Sequence, residues 1–481
     1  MVREKLKGFS KDAVLYGVGD ALGRLIGLIL LPILSRIFIP ADYGVIDLLS
    51  VSYAFVLLLS KLAIPTGVQR FYYQREGEER RSMVASCFAY MEIGGLVIAG
   101  LLIALATPLS HWIPGDPSTV RGAILVLAYC LPFELAWDYL VLLLRLQRRA
   151  ITFSVANIAR VLITPTATYY LVAVRETGVP GVFAAKAASL TLITLALGWV
   201  LRREFSRQLV FRTYFEVFRF AIPGHPDLLI RNAMAIAPVY LLAHFAPLTA
   251  VGLFGVAMRL SKAMKIFVGA FNRAWNPFAY ANEGSADERR LYEIVFKALF
   301  AVLVLLTSGL ALFARELLIV LTPERYLSAY VMVPGIAAYL GSEGLVLIFS
   351  TVLYTRNRVR WTSYLAALRL VVFAIAGFLL VPDHAAKGLV VALDISALVY
   401  VVAYGALARL LFPFDLPIKR MLAFVTIAVA LVFAFNAMDL RWLPRVLLKV
   451  GAWGALVATC VVLMLDSGER RKLRSLLPSR G

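Results

Sequence analysis

Apolar runs of about 20 residues follow one another along almost the whole chain, separated by short polar stretches. That length crosses a bilayer as a helix, and the runs lack the apolar–polar alternation of barrel strands. In lipid, backbone polar groups are satisfied only within helices or closed barrels. The pattern therefore predicts an all-α integral membrane protein of about 14 transmembrane helices. They fall roughly at 14–39, 43–67, 83–107, 120–144, 151–174, 180–201, 218–243, 250–272, 291–313, 328–354, 361–381, 388–408, 420–437 and 446–466. The spans at 43–67, 218–243 and 250–272 carry charges and are the least regular.

Composition agrees. Of 481 residues, 61% are hydrophobic and 16% charged, against about 45–50% and about 25% in soluble domains. The basic residues explain the net charge of +20. Alternate loops hold clusters such as Arg70, Arg75, Arg80 and Arg81, or Arg202, Arg203, Arg207 and Arg212. The intervening loops hold little beyond Arg175, Arg315, Arg325, Lys387, Arg441 and Arg445. Positive loops stay on the cytoplasmic side, so both termini are expected there, in the cytoplasmic membrane. The charge thus reflects topology and attraction to anionic lipid heads, not nucleic acid. The basic N-terminus and long first run predict no cleavable signal. Three Cys and four His lie far apart, without metal-ligand or redox spacing, so no metal and no cofactor is expected.

The chain repeats itself. Residues 17–44 read GVGDALGRLIGLILLPILSRIFIPADYG, and 224–252 read GHPDLLIRNAMAIAPVYLLAHFAPLTAVG. Gly17, Asp20, Arg24, Phe38 and Pro40 fall on Gly224, Asp227, Arg231, Phe245 and Pro247 at an offset of 207; Gly44 and Gly252 are one residue out of that register. Gly181, Ala185 and Ser189 match Gly388, Ala392 and Ser396 at 207, and Glu134, Arg149, Ser154 and Arg160 match Glu343, Arg358, Ser363 and Arg369 at 209. A duplication of six helices gives a parallel repeat about an axis along the membrane normal. The expected organisation is an N-lobe at 1–205, a C-lobe at 206–415, and helices 13 and 14 with a basic tail at 416–481. Two pseudo-symmetric lobes would enclose a central cavity and rock against each other.

Charges within spans mark candidate chemistry, because one at a helix centre costs roughly 2.5–3.5 kcal/mol on insertion scales. Asp20 and Arg24 stand i, i+4, and Asp227 and Arg231 repeat them. Either they are structural ion pairs lining a wet cavity, or Arg24 and Arg231 meet an anionic substrate, which the guanidinium fork suits. Arg259, Lys262 and Lys265 recur every three residues in VGLFGVAMRLSKAMKIFVGAFNRAWNPFAY. Lys265 can snorkel to an end; Arg259 and Lys262 are either anion ligands or lumen lining. Glu134 and Asp138 share a helix face, and Glu343 repeats the first. They are candidates for ion coupling, or else Glu134 and Glu343 pair with arginines such as Arg160 and Arg369. Glu92, Lys186 and Asp394 are unrepeated and receive no role.

The stretch LPILSRIFIPADYGVIDL and the helix-8 segment quoted above resemble the polysaccharide biosynthesis family of lipid-linked oligosaccharide flippases, the O-antigen type. That family stands beside the multidrug and toxin extruders and the lipid II flippases. The resemblance implies transfer of an undecaprenyl-diphosphate oligosaccharide to the outer leaflet through a cationic cavity, supplied here by Arg24, Arg231, Arg259 and Lys262. It further implies ion-gradient coupling, membrane lipids as surroundings and the polysaccharide polymerase machinery as a partner. One rival is a cation or drug extruder of the same fold, whose cavity would be acidic or aromatic. Another is a glycan polymerase or ligase. The longest outer loops span only about 15 residues, and no nucleophile–base set or phosphate-cradling glycine loop is evident, so no catalytic residues are expected.

Overall fold

A computed structural model describes residues 26–437 and 442–464. Among them the chain is helical throughout, without strands. In order the helices are α1 (Ile26–Ile37), α2 (Pro40–Lys61), α3 (Ile64–Phe71), α4 (Gly77–Ala104), α5 (Ala106–Trp112), α6 (Pro117–Leu146) and α7 (Ala150–Thr168, continued by a π turn to Val174). There follow α8 (Gly178–Leu201), α9 (Phe211–Ala221), α10 (His225–Phe245), α11 (Leu248–Ser261), α12 (Ala263–Ala281) and α13 (Glu288–Leu321). The last are α14 (Val333–Thr355), α15 (Arg360–Leu411), α16 (Ile418–Ala437) and α17 (Trp442–Met464). Ten of these segments are long and apolar enough to cross a membrane, and this is a multi-pass membrane protein.

Among the described residues each predicted span has its helix, the first from Ile26 on, and the irregularities fall where charges or turn residues sit. The span expected at 250–272 is broken: α11 ends at Ser261, and Lys262 begins a second helix, its N–H still donating to the Met258 carbonyl at 3.0 Å. The span expected from 218 starts instead at His225, after an amphipathic helix α9 and a tight turn. The spans at 361–381 and 388–408 run together as α15, reversed at Ala385 (φ 47°, ψ −128°). α2 stops at two successive left-handed residues, Leu62 (φ 45°) and Ala63 (φ 57°). Outside the spans, Asp116 caps α6 by accepting from the Thr119 N–H at 2.8 Å and from the Ser118 and Thr119 hydroxyls. These bonds to the charged form hold its carboxyl down at about 2.

The packing divides the chain into two compact units, meeting in sequence at Gly255 and Val256. The first is built on α6, which packs on α4 and α8. The second is built on α14, which packs on α13, α15 and α12. Polar ties bind the two last helices to α13. Lys449, 1% exposed, donates to the Leu312 carbonyl at 2.6 Å and to Glu316 at 2.8 Å. Trp453 donates to the Leu305 carbonyl, and Asn436 to that of Ala311.

Within the first unit, α2 and the start of α11 touch backbone to backbone. A Cβ on Gly44 would lie 2.2 Å from the Leu248 carbonyl oxygen, and one on Gly252 would lie 1.9 Å from that of Pro40. Each glycine thus meets the residue four before the other. A reciprocal contact of this kind is the mark of a two-fold relation, here between segments that the sequence repeat pairs. Gly44→Ala or Gly252→Ala should lower the midpoint of thermal unfolding in detergent, overpacking typically costing about 1–3 kcal/mol. The double variant should cost less than the sum, since both act on one contact. Gly100→Ala, with nothing within 4 Å of its Cβ, should leave the midpoint unchanged.

Candidate functional site

Two clusters of charge lie among the helices, one in each unit. In the first, Glu134 of α6 is buried between two cations. Its Oε1 lies 3.5 Å from Arg160 Nη2 of α7, and its Oε2 2.6 Å from Lys186 Nζ of α8. Tyr53 of α2 covers Lys186, whose ammonium sits 4.4 Å from the ring centre, and Arg160 lies 5.1 Å from the Trp137 ring. One turn along α6, Asp138 pairs with Lys61 at 2.5 Å. Four helices thus converge on one carboxylate, which neither lipid nor an apolar core would accommodate unpaired.

In the second unit, Glu343 of α14 lies 3.6 Å from Arg369 Nη2 of α15 and 3.7 Å from Lys265 Nζ of α12. Arg369 is buried, with its guanidinium 4.8 Å from both the Tyr339 and Tyr400 rings. The pairs Glu134–Arg160 and Glu343–Arg369 are the same pair in the two copies of the repeat, at the common offset of 209. Of the two readings open for these carboxylates in the sequence, the arginine pairing is present in the structure. The second cation is not repeated: it comes from α8 in one copy and from α12 in the other. Glu134 and Glu343 each face two cations, so each leaves one positive charge over.

Asp20 and Arg24 lie outside the described residues. Asp227 and Arg231 are on α10, with side chains outside the described set. Arg259 is half-buried near the end of α11, and Lys262 is exposed at the α11–α12 break. Sequence reasoning passed over Lys186 and treated Lys265 as a snorkelling residue. Lys186 stands midway along an apolar helix that carries no acid, and that isolation is the signal that it needs a partner elsewhere. Asp394, also given no role, faces a cavity of about 460 Å³ lined by α13, α14, α15 and α16, with Thr307, Ser308 and Ser342 on its wall.

A bundle of this length, built almost wholly of membrane-spanning helices with charge clusters among them, defines a polytopic membrane protein. The chain belongs to the polysaccharide biosynthesis protein family, whose sequence pattern matches residues 33–331. Among solved structures, the lipid II flippase MurJ in its inward closed conformation superposes with a TM-score of 0.71 at 12% identity, covering 93% of this chain and 99% of its own. A multidrug resistance MATE family transporter of the MOP superfamily, inward-facing, gives 0.68 at 13% identity over 80% of this chain and 94% of its own. A mutant of the Vibrio cholerae MATE transporter VcmN gives 0.56 at 14% identity over 84% and 97%. These likenesses establish a shared fold. No curated protein matches the chain in sequence.

The two clusters differ in depth. The Glu134 side chain is 11% exposed and that of Glu343 32%. Removing one partner of a buried pair costs about 3–5 kcal/mol, whereas partly exposed pairs are worth far less. Glu134→Gln should therefore lower the thermal midpoint of the purified protein markedly, and Glu343→Gln by a fraction of that. Equal shifts would show that burial does not set the cost.

Proposed function

We propose that this protein is a flippase for a lipid-linked oligosaccharide, moving an undecaprenyl-diphosphate-linked glycan from the cytoplasmic to the outer leaflet for cell-surface polysaccharide synthesis. The observation that carries the reading is the surplus cation in both repeat-related clusters. Two cations set against each of these carboxylates suit an anionic cargo, and a diphosphate offers acceptors for arginine and lysine. Membership of the polysaccharide biosynthesis family supports it.

In this reading the lobes at 1–205 and 206–415 rock about a central cavity, with helices 13 and 14 and the tail at 416–481 appended. Arg24, Arg231, Arg259 and Lys262 bind the diphosphate, with Asp20 and Asp227 as supporting ion pairs. Lys186 and Lys265 join them: each is held by a carboxylate through a contact that an arriving anion can replace. Glu134, Glu343 and Asp138 couple the cycle to an ion gradient. The arginine-rich loops favour both termini on the cytoplasmic side of the cytoplasmic membrane, and in this reading the flipped product passes on to the polymerase machinery. No catalytic step is assigned to any residue.

A second reading, a multidrug extruder, is favoured by the likeness to MATE transporters and opposed by the same surplus of cations. Liposomes separate the two. Purified protein is reconstituted with a polyprenyl-diphosphate oligosaccharide, and exposure of the sugar to an impermeant enzyme on the opposite leaflet is timed. Protein-dependent exposure is expected, reduced roughly tenfold or more by Arg24→Ala, Arg231→Ala or Lys186→Gln, since hydrogen bonds to charged groups are worth about 1.5–3 kcal/mol. Efflux of a cationic dye without sugar exposure would assign the protein to the drug extruders. In the same vesicles, Glu134→Gln and Glu343→Gln should weaken the dependence on a pH gradient. An unchanged dependence would leave both acids as counter-ions only.

A further inference from the structure

The connection from α8 to α10 contains a surface that the cargo reading does not use. α9 spans eleven residues and divides into three stripes. Tyr214, Val217 and Ala221 face the protein: Val217 and Ala221 are buried, and the Tyr214 ring lies 4.9 Å from that of Tyr90. This stripe docks α9 on α3 and α4. Phe211, Phe215 and Phe218 form the next stripe, and Phe211 and Phe215 are 57% and 49% exposed. Arg212, Glu216 and Arg219 form the third. Each stripe follows helical spacing of i, i+3 or i+4 and i+7. Such a helix, with separate aromatic and charged faces beside its docked one, is suited to lie in the plane of a membrane interface.

The charges then decide what the surface meets. Two acids of this segment are already engaged by the protein itself: Glu204 by Arg149 at 3.1 Å, and Glu216 by Arg75 at 2.7 Å. Arg203, Arg207, Arg212 and Arg219 are exposed and, among the described residues, form no ion pair. Exposed Trp199, Leu209 and Val210 extend the apolar stripe beside them, with the Arg202 guanidinium 3.8 Å from the Trp199 ring. Four unneutralised arginines therefore border an aromatic edge. That is the complement of a headgroup layer: phosphate above, acyl chains below.

We infer that α9 and the preceding segment from Trp199 form a binding surface for anionic phospholipid of the adjacent leaflet, with Phe211 and Phe215 entering the acyl boundary and the four arginines holding headgroup phosphates. The proposal uses none of the residues assigned to the cargo and does not depend on which glycan is carried. Each arginine near an anionic surface contributes about fivefold in affinity.

The test uses the intact protein. Native mass spectrometry from mixed phosphatidylglycerol and phosphatidylcholine should show preferential retention of phosphatidylglycerol. The combined variant Arg203→Gln/Arg207→Gln/Arg212→Gln/Arg219→Gln should cut that preference more than tenfold. A spin label at Phe215→Cys, with the native cysteines Cys87, Cys130 and Cys460 all buried, should be more accessible to oxygen than to an aqueous nickel chelate in bilayers. Equal retention by wild type and variant, or a label at 215 open to the nickel chelate, would overturn the proposal. Loss of phosphatidylglycerol to millimolar inorganic phosphate would also overturn it, by showing a site for free anions instead of a lipid surface.

Discussion

A charge placed among membrane helices has to find its counter-charge within the protein, and much of this architecture follows from that requirement. Glu134 sits on the helix that packs most broadly in the first unit, and it draws Arg160 and Lys186 from two others. Glu343 does the same for α15 and α12, and Glu316 draws Lys449 of the last helix onto α13. Around the buried Glu134 and Glu316 an interhelical position that apolar packing alone would leave free to slide is fixed by counter-charges that are costly to remove, while the partly exposed Glu343 is held less firmly. Greasy surfaces let helices associate in several registers; the ion pairs select one.

The same requirement separates what the sequence discloses from what it conceals. The spans were legible because crossing a bilayer demands a run of apolar residues, whatever the tertiary packing. The break at Lys262 was not, because both halves remain apolar enough to read as one span. Nor was the stop at Leu62 and Ala63, since neither residue type signals a left-handed backbone. The span read at 218–243 takes in only the last turn of α9, because the charges of that helix interrupt the apolar run that would mark it. The family resemblance held, since the match at 33–331 overlaps both stretches that suggested it.

The candidate site shows the same division. Pairing of Glu134 with Arg160 and of Glu343 with Arg369 was accessible because the repeat displays the two partners twice at one spacing. Lys186 and Lys265 break that symmetry, and only the folded chain brings them to the carboxylates. The same Glu–Arg pair thus stands in both segments at one offset, while the second cation differs between them.

The glycine contact between α2 and α11 has a consequence for how such a duplicated chain can change. Side chains that drift apart after duplication are normally absorbed by repacking of their neighbours. At Gly44 and Gly252 there is no side chain to repack: each residue is held by the other copy's main-chain oxygen. A replacement in one half is therefore felt at once by the other, and neither position can vary on its own. Two positions far apart in the chain are bound here to one another, and the point of binding is an absence of atoms.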